Sequence, residues 1–382
     1  MPEIPHLPFK VLNKASIQIT DSIDKTVFHA VRRGIDTGVV QLGKSDAQTD
    51  PVKIATLWGS NMPAYLPGVL SKELGKYSNE IDQSRLLYEA LLNEEEVEDI
   101  LDSAPYSKSL GERFQLLSSR FDESDQQEII SVDFDVMDGE TLLMEDVWMR
   151  VSWLSYHEED ASLRFRFSFG MENFDDVSED PERQLAAAEL SQKIFPESKI
   201  ITENESLIEL LKETLNVDAF NFVERIIYFN APNGGAQFHH DAEKGHLGVV
   251  YAQMTGETLW LALSRPQLIE EIIAFMKIEK NLTELETLFS DKNVFTDFCV
   301  SIKDKDLLST ILNDPSNEEI STLLNESTSF FEQMINGGYA YHLTAGDVIL
   351  LPQESMNECA WHSVFCVGDE AGEALSFAIK SV

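Results

Sequence analysis

Residues 225–241 read RIIYFNAPNGGAQFHHD and contain the pattern that decides the fold. The segment Arg225 to Phe229 is rich in the β-branched and aromatic residues that favour strands, and the Asn-Gly-Gly that follows is a turn signal. The stretch therefore predicts two strands joined by a turn, with a His-His-Asp motif at the end of the second. Because side chains alternate faces along a strand, His239 and Asp241 are expected to project together, while His240 points away.

A second informative stretch lies far downstream. Gly346 and Asp347 form a turn that leads into an apolar run ending at Pro352, and His362 follows in a further strand-like segment. Short strands in this order, with metal-ligand residues on separate strands, are typical of jelly rolls. We therefore predict a mainly β protein with helical elaborations, built around a double-stranded β-helix of the jelly-roll or cupin type.

Two imidazoles and one carboxylate are a characteristic ligand set. When they share one face of a metal and leave three positions open, they form the site of non-haem Fe(II) oxygenases. The sequence thus makes His239, Asp241 and His362 candidate metal ligands and catalytic residues. His246 and His342 are expected beside the site or in structural roles.

Several motifs together resemble those of the Jumonji C branch of the cupin-fold 2-oxoglutarate oxygenases. The resemblance covers about residues 222–264 and 338–380, and its motifs are Tyr228-Phe229, His239-x-Asp241, Gly256-Glu257-Thr258-Leu259-Trp260, Gly346-Asp347 with Pro352, and His362-x-Val364. It implies that His239, Asp241 and His362 bind Fe(II) and that Tyr228 lies close to the cosubstrate, 2-oxoglutarate. Halogenases of related fold replace the carboxylate ligand, so the retention of Asp241 implies a hydroxylase or desaturase, of which a dioxygenase that hydroxylates an unactivated C–H bond is the favoured interpretation.

The sequence departs from this family at one position. A lysine of the family usually binds the distal carboxylate of 2-oxoglutarate, and Thr258 stands in its place. A hydroxyl can donate one hydrogen bond, but charge-assisted bonds are roughly twice as strong. Another cation is therefore expected to help. The candidates are Arg225, Lys380, Arg164 and Arg166. Arg164 and Arg166 are expected on the solvent side of their strand.

The departure at Thr258 leaves other functions open. One alternative is a metal-dependent cupin enzyme that does not use 2-oxoglutarate, such as an isomerase or another dioxygenase. The other is a non-catalytic Jumonji-like interaction protein. The complete ligand set counts against the second alternative, because packing alone does not require His, Asp and His to converge.

The chain divides into three regions by pattern. Residues 1–130 mix helical and strand-like segments and carry no recognisable chemistry, whereas residues 131–264 and 337–382 are expected to form the catalytic β core. Residues 265–336 are predicted to be a helical insertion, because Ser264-Arg265-Pro266-Gln267 is a capping box and apolar stripes follow it. The insertion is expected either to cover the mouth of the site or to make a homodimer contact.

Composition limits the partners. The 382 residues include 29 basic and 67 acidic ones, for a formal net charge of −38, so nucleic acid would be repelled. No apolar run approaches the roughly 20 residues needed to cross a bilayer. Three cysteines without metal-finger spacing and the absence of a signal-like start fit a cytoplasmic protein. The substrate is expected to be a small molecule or a protein side chain.

Overall fold

The computed structural model describes residues 26–42, 51–122, 129–154, 160–168, 171–172 and 175–382. Within these ranges the strands are β1 Thr26–Arg32, β2 Ile35–Leu42, β3 Ala64–Leu66, β4 Phe114–Asp122, β5 Ile129–Asp138, β6 Thr141–Trp153, β7 Leu163–Phe167, β8 Met171–Glu172, β9 Asp175–Asp176, β10 Phe220–Asn230, β11 Gly235–His239, β12 His246–Gln253, β13 Thr258–Ser264, β14 Ala340–Leu343, β15 Val348–Pro352, β16 Ala360–Cys366 and β17 Gly372–Ser381.

The helices fall into two groups along the chain. The first group precedes β10 and comprises α1 Pro51–Trp58, α2 Ser71–Leu74, α3 Ser78–Leu92, α4 Val97–Asp102, α5 Tyr106–Leu110, α6 Pro181–Ile194, α7 Lys199–Thr202 and α8 Glu205–Leu215. The second group lies between β13 and β14 and comprises α9 Arg265–Phe275, α10 Glu279–Glu286, α11 Lys292–Ser301, α12 Lys305–Leu312, α13 Glu318–Glu326 and α14 Thr328–Asn336. In the described parts of the chain, no helix combines the length and the apolar character that crossing a membrane requires.

Eight consecutive strands, β10 to β17, form the core. They are divided between two antiparallel sheets, with β15-β12-β17-β10 side by side in one and β11-β16-β13-β14 in the other. Successive strands change sheet except β13 and β14, which lie in the same one. This arrangement is the double-stranded β-helix, a jelly roll of eight strands. It confirms the predicted fold class. The larger sheet continues beyond β10 through β7, β6, β5 and β4, so that it has nine strands in order β3-β15-β12-β17-β10-β7-β6-β5-β4.

Helices cover the outer face of each sheet. The first helix group packs on the nine-stranded sheet, where Tyr88 of α3 stacks on Phe229 of β10 with ring centroids 4.8 Å apart. The second group packs on the four-stranded sheet through the alternate residues Leu259, Leu261 and Leu263 of β13. The intervening side chains of β13 point between the sheets, as the period of two requires. The space between the two sheets therefore holds a core of its own, and one end of it is open.

The helical insertion begins as the sequence predicted. The Ser264 hydroxyl accepts from the backbone N–H of Gln267, and the Gln267 side chain accepts from the N–H of Ser264, which is a complete capping box. The proline in the first turn has no N–H to leave unsatisfied. Helix α9 thus starts directly where β13 ends, at the rim of the barrel.

Candidate metal centre

The three predicted ligands meet at the open end of the barrel. His239 is the last residue of β11, and His362 is its register partner on the neighbouring strand β16. Asp241 lies just beyond the end of β11 and not within it. Its carboxylate is 3.4 Å from Nε2 of His239 and 3.5 Å from Nε2 of His362. One ligand-type atom from each side chain lies within 4.8 Å of the other two.

The imidazole of His239 is oriented by the backbone. Its Nδ1 is 2.7 Å from the carbonyl oxygen of Gln237, so Nδ1 carries the proton and Nε2 presents its lone pair to the site. The two ligand imidazoles approach with ring centroids 4.2 Å apart at an angle of 55°. This geometry directs three donor atoms toward one point.

The electrostatics of His362 and Asp241 favour their metal-binding protonation states. Burial lowers the pKa of His362 to about 3, so its ring is neutral near pH 7. Enclosure would raise the pKa of Asp241, but His362 and His239 outweigh that effect and hold the pKa well below its usual range. Burial by itself would lower the pKa of His239, but the hydrogen bond to Asp241, the charge of Asp241 and the bond to Gln237 together outweigh burial and raise it. A neutral imidazole and a carboxylate are the forms that bind metal.

A hydrogen-bonded chain supports His362 from behind. The ring of Trp260 stacks on it at 5.2 Å with an interplanar angle of 23°. The Trp260 indole N–H donates to the Thr258 hydroxyl at 3.0 Å, and that hydroxyl donates to Oε1 of Gln253 at 2.8 Å. Tyr251 donates to the same oxygen at 3.1 Å. The chain fixes the indole and therefore the face against which the ligand packs.

His240 does not belong to the triad. Its ring meets Trp361 edge-on at 5.2 Å, and its Nδ1 accepts from the backbone N–H of Ala242 at 3.2 Å. It lines the cavity beside the triad but points elsewhere. His246, expected near the site, is buried with its Nδ1 3.9 Å from the carboxylate of Glu224.

A cavity of about 650 Å³ opens above the triad. Its inner wall comes from the barrel, and the opposite wall comes from the α12–α13 segment of the helical insertion. The lining includes Arg33, Leu154, Arg164, Tyr228, Asn230, Phe238, Tyr251, Trp260, Leu312, Asn313, Asp314, Asn317, Ile320, Ser321, Leu324, Asn325, Met356 and Trp361. The insertion was expected either to cover the mouth of the site or to make a homodimer contact, and this placement favours the first role.

The residues predicted to bind the cosubstrate separate into two groups. Tyr228 lines the cavity, whereas Arg225, Thr258 and Lys380 are not among the described residues that line it. The hydroxyl of Thr258 is taken up by the chain behind His362. The guanidinium of Arg225 lies over the ring of Phe377 at 5.4 Å, on the side covered by the first helix group.

Arg164 takes a position that differs from its expected one. Strand alternation places it opposite Leu163 and Phe165, but that face is the inner face of the sheet and not the solvent side. Arg164 is the register partner of Tyr228, lines the cavity and shares a hydrogen bond with the phenol. Burial lowers the pKa of Arg164, and Tyr228 opposes that effect. The expectation of a solvent-facing arginine was wrong because helices cover the other face.

Sequence reasoning also missed Arg33. Residues 1–130 showed no recognisable chemistry, yet Arg33 lies at the tip of the β1–β2 hairpin and reaches the cavity wall. Its contacts are all with residues more than a hundred positions away, for example Asp160 at 3.2 Å. The one local signal is the Arg33-Gly34 pair between two strand-like segments, which marks a tight turn but not its destination.

Comparisons with known proteins give a consistent but weak result. No family model matches the sequence, and no curated protein does either. Among solved structures, an oxidoreductase of the 2OG-Fe(II) oxygenase family from Burkholderia pseudomallei is 9% identical, with 88% of this chain and 93% of that chain covered and a TM-score of 0.33. YcfD, a ribosomal oxygenase from Escherichia coli, is 11% identical, with 73% of this chain and 44% of that chain covered and a TM-score of 0.22.

A second structure of YcfD, in complex with cobalt and succinic acid, is 13% identical, with 68% and 41% coverage and a TM-score of 0.24. The chain thus spans less than half the length of the Escherichia coli structures that it matches. These neighbours are oxygenases, as the sequence motifs lead one to expect. At such identities and TM-scores the likeness carries no argument, so the fold rests on strand order and the site on its own geometry.

Proposed function

We propose that this protein is a non-haem Fe(II) oxygenase that uses 2-oxoglutarate to hydroxylate a C–H bond of a substrate held in the cavity. One observation carries the proposal: His239, Asp241 and His362 converge at the open end of a double-stranded β-helix, beneath a cavity of about 650 Å³. The reaction needs reduced iron, and the three cysteines, which are all free, agree with a reducing cytoplasm.

The donor set fits Fe(II). Two imidazole nitrogens and one carboxylate on one side of a metal leave the cavity side open for a cosubstrate and dioxygen. Bound there, Fe(II) and 2-oxoglutarate supply the activation of dioxygen and the oxidising power. The protein fixes the donors: Gln237 holds the tautomer of His239, and Trp260 holds the plane of His362.

Arg164 and Tyr228 fit the carboxylate of 2-oxoglutarate. Burial raises the pKa of Tyr228 to about 12, Arg164 opposes the increase and the charge of Asp241 adds to it. Tyr228 is therefore a neutral donor close to the metal ligands, with a guanidinium hydrogen-bonded to it. We propose that these two groups do together what the missing lysine does in the family that the motifs resemble.

Other residues shape the reaction space. Phe238, Leu324 and Trp361 contribute apolar side chains to the lining of the cavity. Asn325 of α13 accepts from the backbone N–H of Phe238 at 2.8 Å. This bond joins the outer wall to the strand that ends in His239, so the substrate wall and the ligand strand keep a fixed spacing.

Anaerobic titration tests the proposal. Fe(II) is added first, then 2-oxoglutarate, and the visible charge-transfer band of the chelate is recorded. We expect the band to appear in the unmodified protein. We expect Arg164→Gln to raise the apparent Kd for 2-oxoglutarate by roughly 10- to 100-fold, because a hydrogen bond to a charged group is lost. The exposed Arg85→Gln on α3 serves as the matched control and should leave the titration unchanged. Bound iron without a band would refute the use of 2-oxoglutarate.

A further inference from the structure

The tip of the β1–β2 hairpin is built into the mouth of the barrel. Arg33 and Gly34 form the two-residue turn, with φ values of 50° and 78°. Positive φ at both positions is the signature of a tight type I′ hairpin. The backbone N–H of Arg33 donates to the carbonyl oxygen of Asn233 at 2.8 Å, in the loop that precedes β11. The tip therefore lies against the strand that carries His239.

Arg32 fixes this tip. Its side chain is buried, and its guanidinium donates to the carbonyl oxygen of Ala236, to the hydroxyl of Ser363 at 2.6 Å and to Oδ1 of Asn325 at 3.0 Å. The guanidinium also lies 4.4 Å from the centroid of the Phe365 ring. The acceptors belong to β11, β16 and α13. Arg32 thus joins both ligand strands to the outer cavity wall and leaves the tip little freedom.

Arg33 faces the cavity with one edge of its guanidinium. Nε lies 3.2 Å from the carboxylate of Asp160, and Nη2 donates to the carbonyl oxygens of Leu154 and Gly235 at 3.0 and 3.1 Å. Among the described residues, Nη1 has no hydrogen-bond partner. The side chain is 26% exposed and is part of the cavity lining. Three bonds hold the guanidinium in place and leave Nη1 able to donate to a ligand.

The charge of this group stands out in its surroundings. The protein has a formal net charge of −38, yet apart from histidine the basic residues in the described cavity lining are Arg33 and Arg164. Asp160, which partly neutralises Arg33, is fully buried behind it and also accepts from the N–H of Ser162. A planar guanidinium with a free edge recognises carboxylate and phosphate groups.

Position separates Arg33 from the cosubstrate. Gly235, which accepts from Arg33, lies four residues before His239 on β11, roughly 13 Å for a regular strand, although the pairing of β11 with β16 shifts register between Ala236 and His239. Arg164 lies in a different part of the cavity wall, where it pairs in register with Tyr228 of β10. The cavity therefore carries two separate guanidinium groups. With Arg164 and Tyr228 assigned to the cosubstrate, Arg33 is left for another carboxylate.

We propose that Arg33 binds a carboxylate of the substrate, so that the substrate class is an elongated carboxylic acid oxidised several bonds away from its acid group. The oxidation of this acid rests on the proposed function, whereas its binding to Arg33 does not. Substrate and cosubstrate both carry a carboxylate, and variants of Arg33 and Arg164 distinguish which of the two binds at Arg33.

The first test uses the unmodified protein. Straight-chain fatty acids of increasing length, and peptides with a free carboxyl terminus, are compared with the corresponding carboxamides. Binding to the anaerobic protein loaded with Fe(II) and 2-oxoglutarate is followed through tryptophan emission, since Trp260 and Trp361 line the cavity. We expect acids above a threshold length to bind, and each carboxamide to bind at least ~10-fold more weakly. Equal binding of acid and amide, or no binding of any acid, would overturn the proposal.

The second test uses Arg33→Gln. We expect it to weaken binding of the acid by roughly 10- to 100-fold and to leave binding of the carboxamide and of 2-oxoglutarate unchanged. Arg164→Gln should show the opposite pattern, and Arg85→Gln should change neither. Arg33→Lys keeps the positive charge but not the planar guanidinium, so it should bind the acid more tightly than Arg33→Gln and less tightly than the unmodified protein. If Arg33→Gln instead weakens 2-oxoglutarate, Arg33 is a cosubstrate group and the proposal is wrong.

The two proposals fail separately. If acids bind through Arg33 but the protein shows no charge-transfer band, the oxygenase function is wrong and the carboxylate site at Arg33 is supported. If the band is normal but acids and carboxamides bind equally well, the oxygenase function is supported and the carboxylate site is wrong. If Arg33→Gln does not fold, the comparison of acid with amide on the unmodified protein decides by itself.

Discussion

Two glutamates are buried together in the core beneath the large sheet, and their titration gives a testable magnitude. Glu373 lies on β17 and is 1% exposed, whereas Glu197, in the turn before α7, is fully buried. The hydroxyl of Ser84 donates to Glu373 at 2.7 Å. Burial raises the pKa of Glu373 from 4.5 to about 7, and burial together with the charge of Glu373 raises that of Glu197 well above its usual range. No basic side chain is among the causes of either shift.

The sign of the effect on stability follows from proton binding. Between pH 4.5 and about 7 the folded protein holds a proton on Glu373 that the unfolded chain has lost, so stability falls as the pH rises through this window. The shift from 4.5 to about 7 corresponds to about 3 kcal/mol of unfolding free energy that is present at pH 4.5 and absent above pH 7. Glu373→Gln keeps the shape and an acceptor for Ser84 but cannot ionise.

Urea unfolding of both proteins, followed by circular dichroism between pH 4.5 and 8, measures this difference. We expect Glu373→Gln to become more stable relative to the unmodified protein as the pH rises, by about 3 kcal/mol across the window, and then to stay level. Glu112→Gln, at an exposed position, should show no such trend. A difference that is constant with pH, or that changes in the opposite direction, would refute the reasoning.

Three further predictions concern the site and its supports. Asp241→Ala should lower metal affinity by more than roughly 10- to 100-fold, which is the loss expected when only a residue that supports a metal ligand is removed. The control His240→Ala should retain its metal in an elemental analysis. Gly235→Ala should lower the unfolding free energy by at least ~3 kcal/mol in a denaturation assay, because a Cβ there would lie 2.1 Å from the carbonyl oxygen of Val364 and the backbone φ is 129°. The control Gly75→Ala has open space around it and should be nearly neutral in the same assay. Arg32→Gln should cost roughly 3 kcal/mol, because three buried acceptors lose a charged donor, against less than ~1 kcal/mol for the surface Arg85→Gln; equal costs would refute the role given to Arg32.

The convergence of His239, Asp241 and His362 could be predicted from the sequence because its cues are local. Strand alternation brought His239 and Asp241 to one side, and the turn at Gly346-Asp347 located the strands that precede His362. Even so, Asp241 lies past the end of β11, so the pair is completed by the backbone that leaves the strand and not by the strand alone. The exclusion of His240 followed from the same alternation.

The positions of the arginines proposed to bind cosubstrate and substrate could not be predicted in the same way. Alternation shows that Arg164 lies opposite Phe165, but it does not show that helices bury the face of Phe165 and leave the inner face open to the cavity. The role of Thr258 depends on Gln253 and Trp260 meeting its hydroxyl across strands. Arg33 reaches the site only because distant segments fold around it. These are facts of tertiary packing, which local patterns do not contain.

The helical insertion leaves the barrel at the end of β13 and returns at β14, both in the sheet that carries the metal ligands. The strands that carry the candidate metal ligands and the helical segment that lines the opposite cavity wall are thus encoded in separate stretches of chain. Asp314, Asn317 and Ile320 line the cavity from this segment, whereas Asn325 at its far end is bonded to the strand that ends in His239. If the protein has the proposed function, its substrate selectivity can change by mutation of one contiguous segment that supplies no metal ligand, so a search for altered selectivity would begin with Asp314, Asn317 and Ile320.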